Sequence, residues 1–195
     1  MPDRILRPLD RGELRTVYRE HLRADFPAAE RKPLGAIESA AAAGCYDTLG
    51  LFQGEALLGY AFLWRDGEGE CALLDYLAIC RGGRGRGLGS ELLGMLLDHY
   101  RAFPGLLVEA EAEEPAAGEG ENALRRRRLD FYRRAGFRDL GYRARLFGVT
   151  YDCLGSGRLT AREAIAAHRR HYARALRLPG KLVEIPYLRS TKEKS

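Results

Sequence analysis

The segment Leu74-Asp75-Tyr76-Leu77-Ala78-Ile79-Cys80 is an apolar run with the character of a strand. It breaks into Arg81-Gly82-Gly83-Arg84-Gly85-Arg86-Gly87-Leu88-Gly89-Ser90, and Leu88, Leu92, Leu93, Leu96, Leu97 and Tyr100 then follow at helical spacing. A strand, a glycine loop and a helix start, in that order, make an anion site. Glycines at 85, 87 and 89 let the backbone take positive φ and approach a ligand closely. The unpaired N–H groups of the first helical turn face outward with the positive end of the helix dipole. Arg84 and Arg86 add charged, planar donor forks suited to phosphate oxygens. The pattern predicts a ligand that carries phosphate.

Spacing narrows the choice. A nucleoside triphosphate loop ends in Lys-Ser or Lys-Thr, whereas this one has Gly89-Ser90 and no lysine, which disfavours ATP or GTP hydrolysis. A dinucleotide loop needs G-x-G-x-x-G. From Gly83 that template ends on Leu88 and from Gly85 on Ser90, so neither register fits. The arrangement Arg84-x-x-Gly87-x-Gly89 after a strand resembles instead the pyrophosphate loop of the GNAT (Gcn5-related N-acetyltransferase) superfamily. A second stretch, Leu129-Asp130-Phe131-Tyr132-Arg133-Arg134-Ala135-Gly136-Phe137, resembles that family's helix ending in Tyr-x-x-x-Gly-Phe, with Gly136 suited to the left-handed position past the helix end. The resemblance extends from roughly Arg4 to Leu154.

It implies an α/β fold, a mixed and mostly antiparallel sheet flanked by helices, and an N-acetyltransferase that moves an acetyl group from acetyl-CoA to a primary amine by direct attack in a ternary complex. In that pattern the Ile79 N–H polarises the acyl carbonyl, Cys80 and Arg81 make main-chain contacts to the pantetheine arm, and Arg84, Gly85, Arg86, Gly87, Gly89 and Ser90 hold the pyrophosphate. Tyr132 is the implied general acid for the departing sulfur. Asp75 is the leading general base, read as lying on the same strand face as Ile79 with Tyr76 opposite, because a carboxylate in an apolar strand demands a partner or a purpose. Glu111, with Glu109 two residues before it on the neighbouring strand, is the second option. Many family members carry an Asn seven residues before the tyrosine; here Arg125 stands there and Arg128 replaces a small residue, so either arginine could instead contact the donor's outer phosphate. Asp25 and Glu30, in the connector Asp25 to Lys32, could receive a cationic amine. A small-molecule acceptor is expected, with protein lysine or N-terminal acetylation, or a non-catalytic acyl-CoA sensor, as alternatives.

The remaining chain bounds the reading. Its 195 residues, 46% hydrophobic, suffice for one core. An acyltransferase domain is expected over 1–154, with 155–195 a C-terminal helix and tail packed on it. No apolar run suits a membrane span and the N-terminus lacks a signal-peptide pattern, so a cytoplasmic, membrane-free protein is expected. Cys45, Cys71, Cys80 and Cys153 have no C-x-x-C spacing and are read as free thiols. No metal is expected, and His168 and His171 are assigned to packing or surface. The run Arg125-Arg126-Arg127-Arg128 beside an acidic stretch reads as a solvated helix face, not a nucleic-acid site. A homodimer is left open.

The coarse element order is a short strand near Arg4 to Arg7, helices over Asp10 to Ala24 and Pro33 to Ala43, and strands over Tyr46 to Gln53, Ala56 to Arg65 and Glu70 to Cys80. The glycine-loop helix, a strand near Gly105 to Glu111, the arginine-rich helix and strands near Phe137 to Leu140 and Ala144 to Asp152 follow. A capped helix from Thr160 to Leu176 and an edge strand in Lys181 to Leu188 complete it.

Overall fold

Apolar alternation and turn glycines organise the chain around a sheet of eight strands in the order β1-β2-β3-β4-β5-β7-β6-β8. In the computed structural model, which describes residues 3–65, 71–175 and 183–187, the strands are β1 (Arg4–Pro8), β2 (Tyr46–Gln53), β3 (Ala56–Arg65), β4 (Ala72–Ile79), β5 (Leu106–Glu111), β6 (Arg138–Leu146), β7 (Val149–Gly155) and β8 (Val183–Tyr187). All neighbours are antiparallel except β4 and β5. The expected turn at 66–69, Glu70, Leu176, residues 181, 182 and 188, and the tail at 191–195 lie outside the described residues.

The first helical segment begins at Asp10, whose side chain accepts the Glu13 N–H while the Glu13 carboxylate accepts the Asp10 N–H. It runs as α1 (Arg11–Thr16), a π-helical stretch Val17–Leu22 and α2 (Arg23–Asp25), followed by α3 (Leu34–Ala42). Leu14, Val17, Leu22 and Ile37 bury one face of β2 to β4 through Tyr46, Phe52, Tyr60, Phe62 and Tyr76. On the opposite face α4 (Leu88–His99) and α5 (Gly118–Arg134) cover Leu49, Leu51, Leu63, Leu74 and Val108 with Leu92, Leu93, Leu96 and Leu129. The last helix, α6 (Ala161–Ala175), packs Ala164 and Ala167 against Leu107, Tyr142, Ala144 and Cys153. Because Leu73 and Leu107 belong to this cluster while Leu74 and Val108 belong to the other, strand alternation puts α6 on the same side of the sheet as α1 and α3. The C-terminal segment therefore shares the sheet of the preceding residues, and β8 extends it beside β6.

Two boundaries differ from the sequence reading. β6 runs through Gly141, at φ 72, with a register shift between Asp139 and Arg143, so the glycine bends the strand where the sequence predicts a break. The β6–β7 turn instead falls at Phe147 and Gly148, with φ of 51 and 89. Phe147 is a non-glycine residue in the left-handed region, which a turn residue pattern does not announce.

Candidate active site

The sheet opens where the parallel pair ends. β4 and β5 are paired only from Ala72↔Leu106 to Leu74↔Val108, yet β4 continues to Ile79 and β5 to Glu111. Past that point the two strands leave a gap whose edges carry unpaired backbone groups. Cys80 N–H donates to the Leu58 carbonyl on β3 at 2.9 Å, so alternation along the strand turns Ile79 N–H the other way, toward the gap. Cys80 thus has its N–H committed to β3, which leaves its carbonyl, already accepting Gly83 N–H at 3.1 Å, as the main-chain group for any further contact.

Beyond β4 the chain turns through Gly82, Gly85 and Gly87, all at positive φ. Gly83 is tight for another reason: a Cβ there would meet Leu88 Cδ1 at 3.0 Å and Ile79 Cγ2 at 3.1 Å. Gly87 is the N-cap of α4 at φ 79 and supplies no capping side chain. The first intrahelical bond runs from Glu91 N–H to the Gly87 carbonyl, so the N–H groups of Leu88, Gly89 and exposed Ser90 precede it. Together with exposed Arg81 and Arg86, these donors fit a phosphate-bearing ligand. Arg84 is partly committed elsewhere, donating to Asp25 at 2.6 Å and to the Ile79 carbonyl at 3.3 Å. Asp25, which also accepts from Tyr60 at 3.0 Å, serves to fix the loop against α2 and is not free for a cationic amine.

On β4 the alternation is broken. Phe62 pairs with Tyr76 and Leu63 with Leu74, leaving Asp75 as the extra residue of a β-bulge. Leu74, Leu77 and Ile79 pack on the α4 and α5 side, whereas Asp75 and Tyr76 both turn to the α1 and α3 side. The sequence expectation that Asp75 shares a face with Ile79 and opposes Tyr76 is thereby corrected, because one inserted residue shifts every later side chain. Lys32 donates to the Asp75 oxygens at 2.6 and 2.7 Å, and Tyr46 donates to Oδ2. The Lys32 ammonium also lies 5.9 Å from the Trp64 ring and 5.5 Å from that of Tyr76.

Across the gap Glu109 is the first β5 residue past the pairing, and α6 reaches it. Its Oε1 is bound by His168 Nε2, and Tyr172 donates to Oε2 at 3.0 Å. His168 is fully buried and its Nδ1 lies 3.1 Å from the Tyr142 hydroxyl. Burial, then Glu109 and Asp75, hold the Tyr172 phenol well above its ordinary range, so it is a neutral donor to Glu109. Glu111 is held differently, 3.0 Å from Arg125 and 3.7 Å from Arg128. Arg125 also donates to the Ala112 carbonyl at 2.8 Å and is largely buried, so it braces β5 against α5. Burial and then Glu111 raise the Glu30 carboxyl, so Glu30 of the connector is within electrostatic reach of β5.

Tyr132 is buried on α5 between Phe131 and Phe137. Among the described residues its hydroxyl has no protein hydrogen-bond partner, and burial pushes it up to about 12. The histidines assigned to packing are buried, but the link from His168 to a strand residue 59 positions away was not legible in the sequence. No cluster of metal-ligating side chains occurs among the described residues, nor a helix long and apolar enough to cross a membrane.

The sequence matches the profile of the acetyltransferase (GNAT) family over residues 13–137 of 195. Among solved structures, a GNAT-family protein from Bacteroides thetaiotaomicron aligns at TM-score 0.69 and 20% identity, covering 86% of this chain and 95% of that one. The ribosomal-protein-S18-alanine N-acetyltransferase of Escherichia coli aligns at 0.53 and 18%, covering 81% and 95%. The spermidine N-acetyltransferase of Vibrio cholerae in complex with CoA and spermine aligns at 0.57 and 14%, covering 78% and 92%. No curated protein matches by sequence.

Proposed function

Because the chain belongs to the acetyltransferase (GNAT) family, we propose that it transfers an acetyl group from acetyl-CoA to the primary amine of a small molecule. The observation that carries this reading is the early end of β4–β5 pairing directly beside the uncapped, glycine-turned start of α4. An extended thioester arm fits the gap as a strand-like guest, and its diphosphate fits the helix terminus. That a spermidine acetyltransferase shares the fold supports a small cationic acceptor.

Bound acetyl-CoA supplies the activated carbonyl carbon and a thiolate leaving group. In this reading the residues divide the work. Ile79 N–H donates to the carbonyl oxygen as charge develops on it. Leu88, Gly89 and Ser90 N–H groups, with Arg81, Arg84 and Arg86, hold the phosphates. Tyr132 keeps its proton near neutral pH and gives it to sulfur as the C–S bond breaks. The acceptor must arrive as, or become, a neutral amine. Asp75 and Glu111 are each engaged by cationic side chains, whereas Glu109 is held by a phenol and an imidazole. We therefore place proton removal on Glu109, with Asp75 and Glu111 shaping the charge around the acceptor. The N–H bond of the ammonium breaks, its electron pair remains on nitrogen as the nucleophile and the proton rests on Glu109; as the C–N bond forms and the C–S bond breaks with its pair on sulfur, the second nitrogen proton replaces the one that Tyr132 gives to sulfur.

The test is acetyl-CoA consumption with a panel of spermidine, a primary alkylamine, glucosamine and a peptide bearing an N-terminal alanine. Free thiol and acetylated product appearing together with one of the small amines is the expected result. Turnover confined to the peptide would reassign the acceptor to protein, and tight donor binding without turnover would indicate a sensor.

A further inference from the structure

The family profile ends at residue 137, yet a buried polar chain joins the later helix α6 to the strand that borders the gap. Glu109 is faced by His168 and Tyr172 from α6, by Tyr142 from β6 and by Tyr151 and Cys153 from β7, with Asp75 of β4 beyond Tyr172. His168 has no exposed surface and the Glu109 side chain is only 12% exposed. Burying a carboxylate and an imidazole together is costly unless each is fully bonded, and such groups are retained where a fixed geometry is needed.

Here the bonds are directional. Tyr172 is a neutral phenol with a proton to give, and it donates that proton to Oε2. His168 sits between two partners, with Nε2 at Glu109 Oε1 and Nδ1 3.1 Å from the Tyr142 hydroxyl, so the ring is fixed at both nitrogens and a carboxylate on Nε2 calls for a proton there. Neither donor brings an obligatory positive charge, in contrast to Lys32 at Asp75 and Arg125 at Glu111. The two α6 side chains take one carboxylate oxygen each and so fix the orientation of Glu109.

We propose that α6 completes the active site, with His168 and Tyr172 as positioning residues that orient and tune Glu109 as the acceptor of the ammonium proton. The inference rests on the acetyltransferase reading. It assigns a role in proton transfer to the C-terminal helix.

The test compares wild type, Glu109→Gln, His168→Gln and Tyr172→Phe. It follows kcat/KM against pH for the most rapidly consumed amine of the panel, together with acetyl-CoA affinity and Tm. Glu109→Gln is expected to lose on the order of 100-fold in kcat/KM near neutrality and to recover as rising pH delivers the free amine. Tyr172→Phe, which removes one donor to the ionised carboxylate, should move the ascending limb upward by about one pH unit or less. His168→Gln should lower kcat on the order of tenfold with donor affinity unchanged, since the amide restores one bond but not the orientation. Unshifted pH profiles in the Glu109 and Tyr172 variants, whatever their Tm, would overturn the proposal while leaving the acetyltransferase reading intact. Failure of the wild type to consume any amine in the panel would remove that reading and the proposal with it.

Discussion

Lys32 holds its ammonium within 2.6 and 2.7 Å of the two oxygens of Asp75, on a residue that a β-bulge has turned out of the strand's regular alternation. The connector carrying Lys32 is fixed around that contact: Tyr18 donates to the Lys32 carbonyl at 2.9 Å, and Tyr76 accepts the Lys32 N–H at 2.9 Å while donating to the Glu30 carbonyl at 2.8 Å. The pair thus joins the connector to β4 beside the gap. Asp75 is 9% exposed and Lys32 26%, so the interaction is only partly screened.

Lys32→Met should therefore cost about 1–3 kcal/mol, chiefly by leaving a nearly buried carboxylate with Tyr46 alone. Adding Asp75→Asn should restore part of the loss. Chemical denaturation of the two single variants and the double variant measures the coupling, and additive losses would mean that the two side chains do not interact in solution.

Tyr132 is expected to keep its proton through the neutral and moderately alkaline range. Burial raises its hydroxyl to about 12, so a raised group of this kind sheds its proton only as pH approaches that value. Tyr132→Phe should lower kcat by about 100-fold or more while donor affinity stays within about twofold. The wild-type kcat profile should show no descending limb from this group below about pH 11. Steady-state kinetics of both proteins across the alkaline range checks the two statements together.

The capping box at α1 gives a pH-dependent contribution to stability. Hydrogen bonds from Arg7 and from the Asp10 N–H lower the Glu13 carboxyl from 4.5 to about 2. A depressed carboxyl stabilises the fold above its unfolded value and loses that contribution as pH falls through the folded one. Glu13→Ala should thus cost about 1 kcal/mol or less near neutral pH, the exposed ion pair being screened, and the difference should shrink between about pH 4.5 and 2. Paired melts at pH 7 and pH 3 provide the measurement.

The glycine loop and the Asp10 cap were legible because each depends on local sterics or on bonds within one turn. Gly87 needs a left-handed φ, and Asp10 and Glu13 stand three residues apart. The orientation of Asp75 was not legible, since a bulge inserts a residue without a residue type that marks it. Gly141 misled in the other direction, signalling a break where β6 only bends. His168 and Tyr172 carried no signal at all, because their partner Glu109 lies 59 and 63 positions earlier and only the packing of α6 on the sheet brings them together. Local rules located the glycine loop; the surroundings of Glu109 depend on contacts between distant segments.

The donor site is tested most directly by calorimetric titration of acetyl-CoA into wild type and into Gly87→Glu. At φ 79 any side chain strains the loop, and a carboxylate there repels phosphate at the start of α4. Wild type should bind one acetyl-CoA per chain, and the variant should lose at least about tenfold in affinity, or about 1.4 kcal/mol, while remaining folded. Equal binding by the two proteins, or no binding by wild type, would contradict the assignment of this loop as the acyl-donor site.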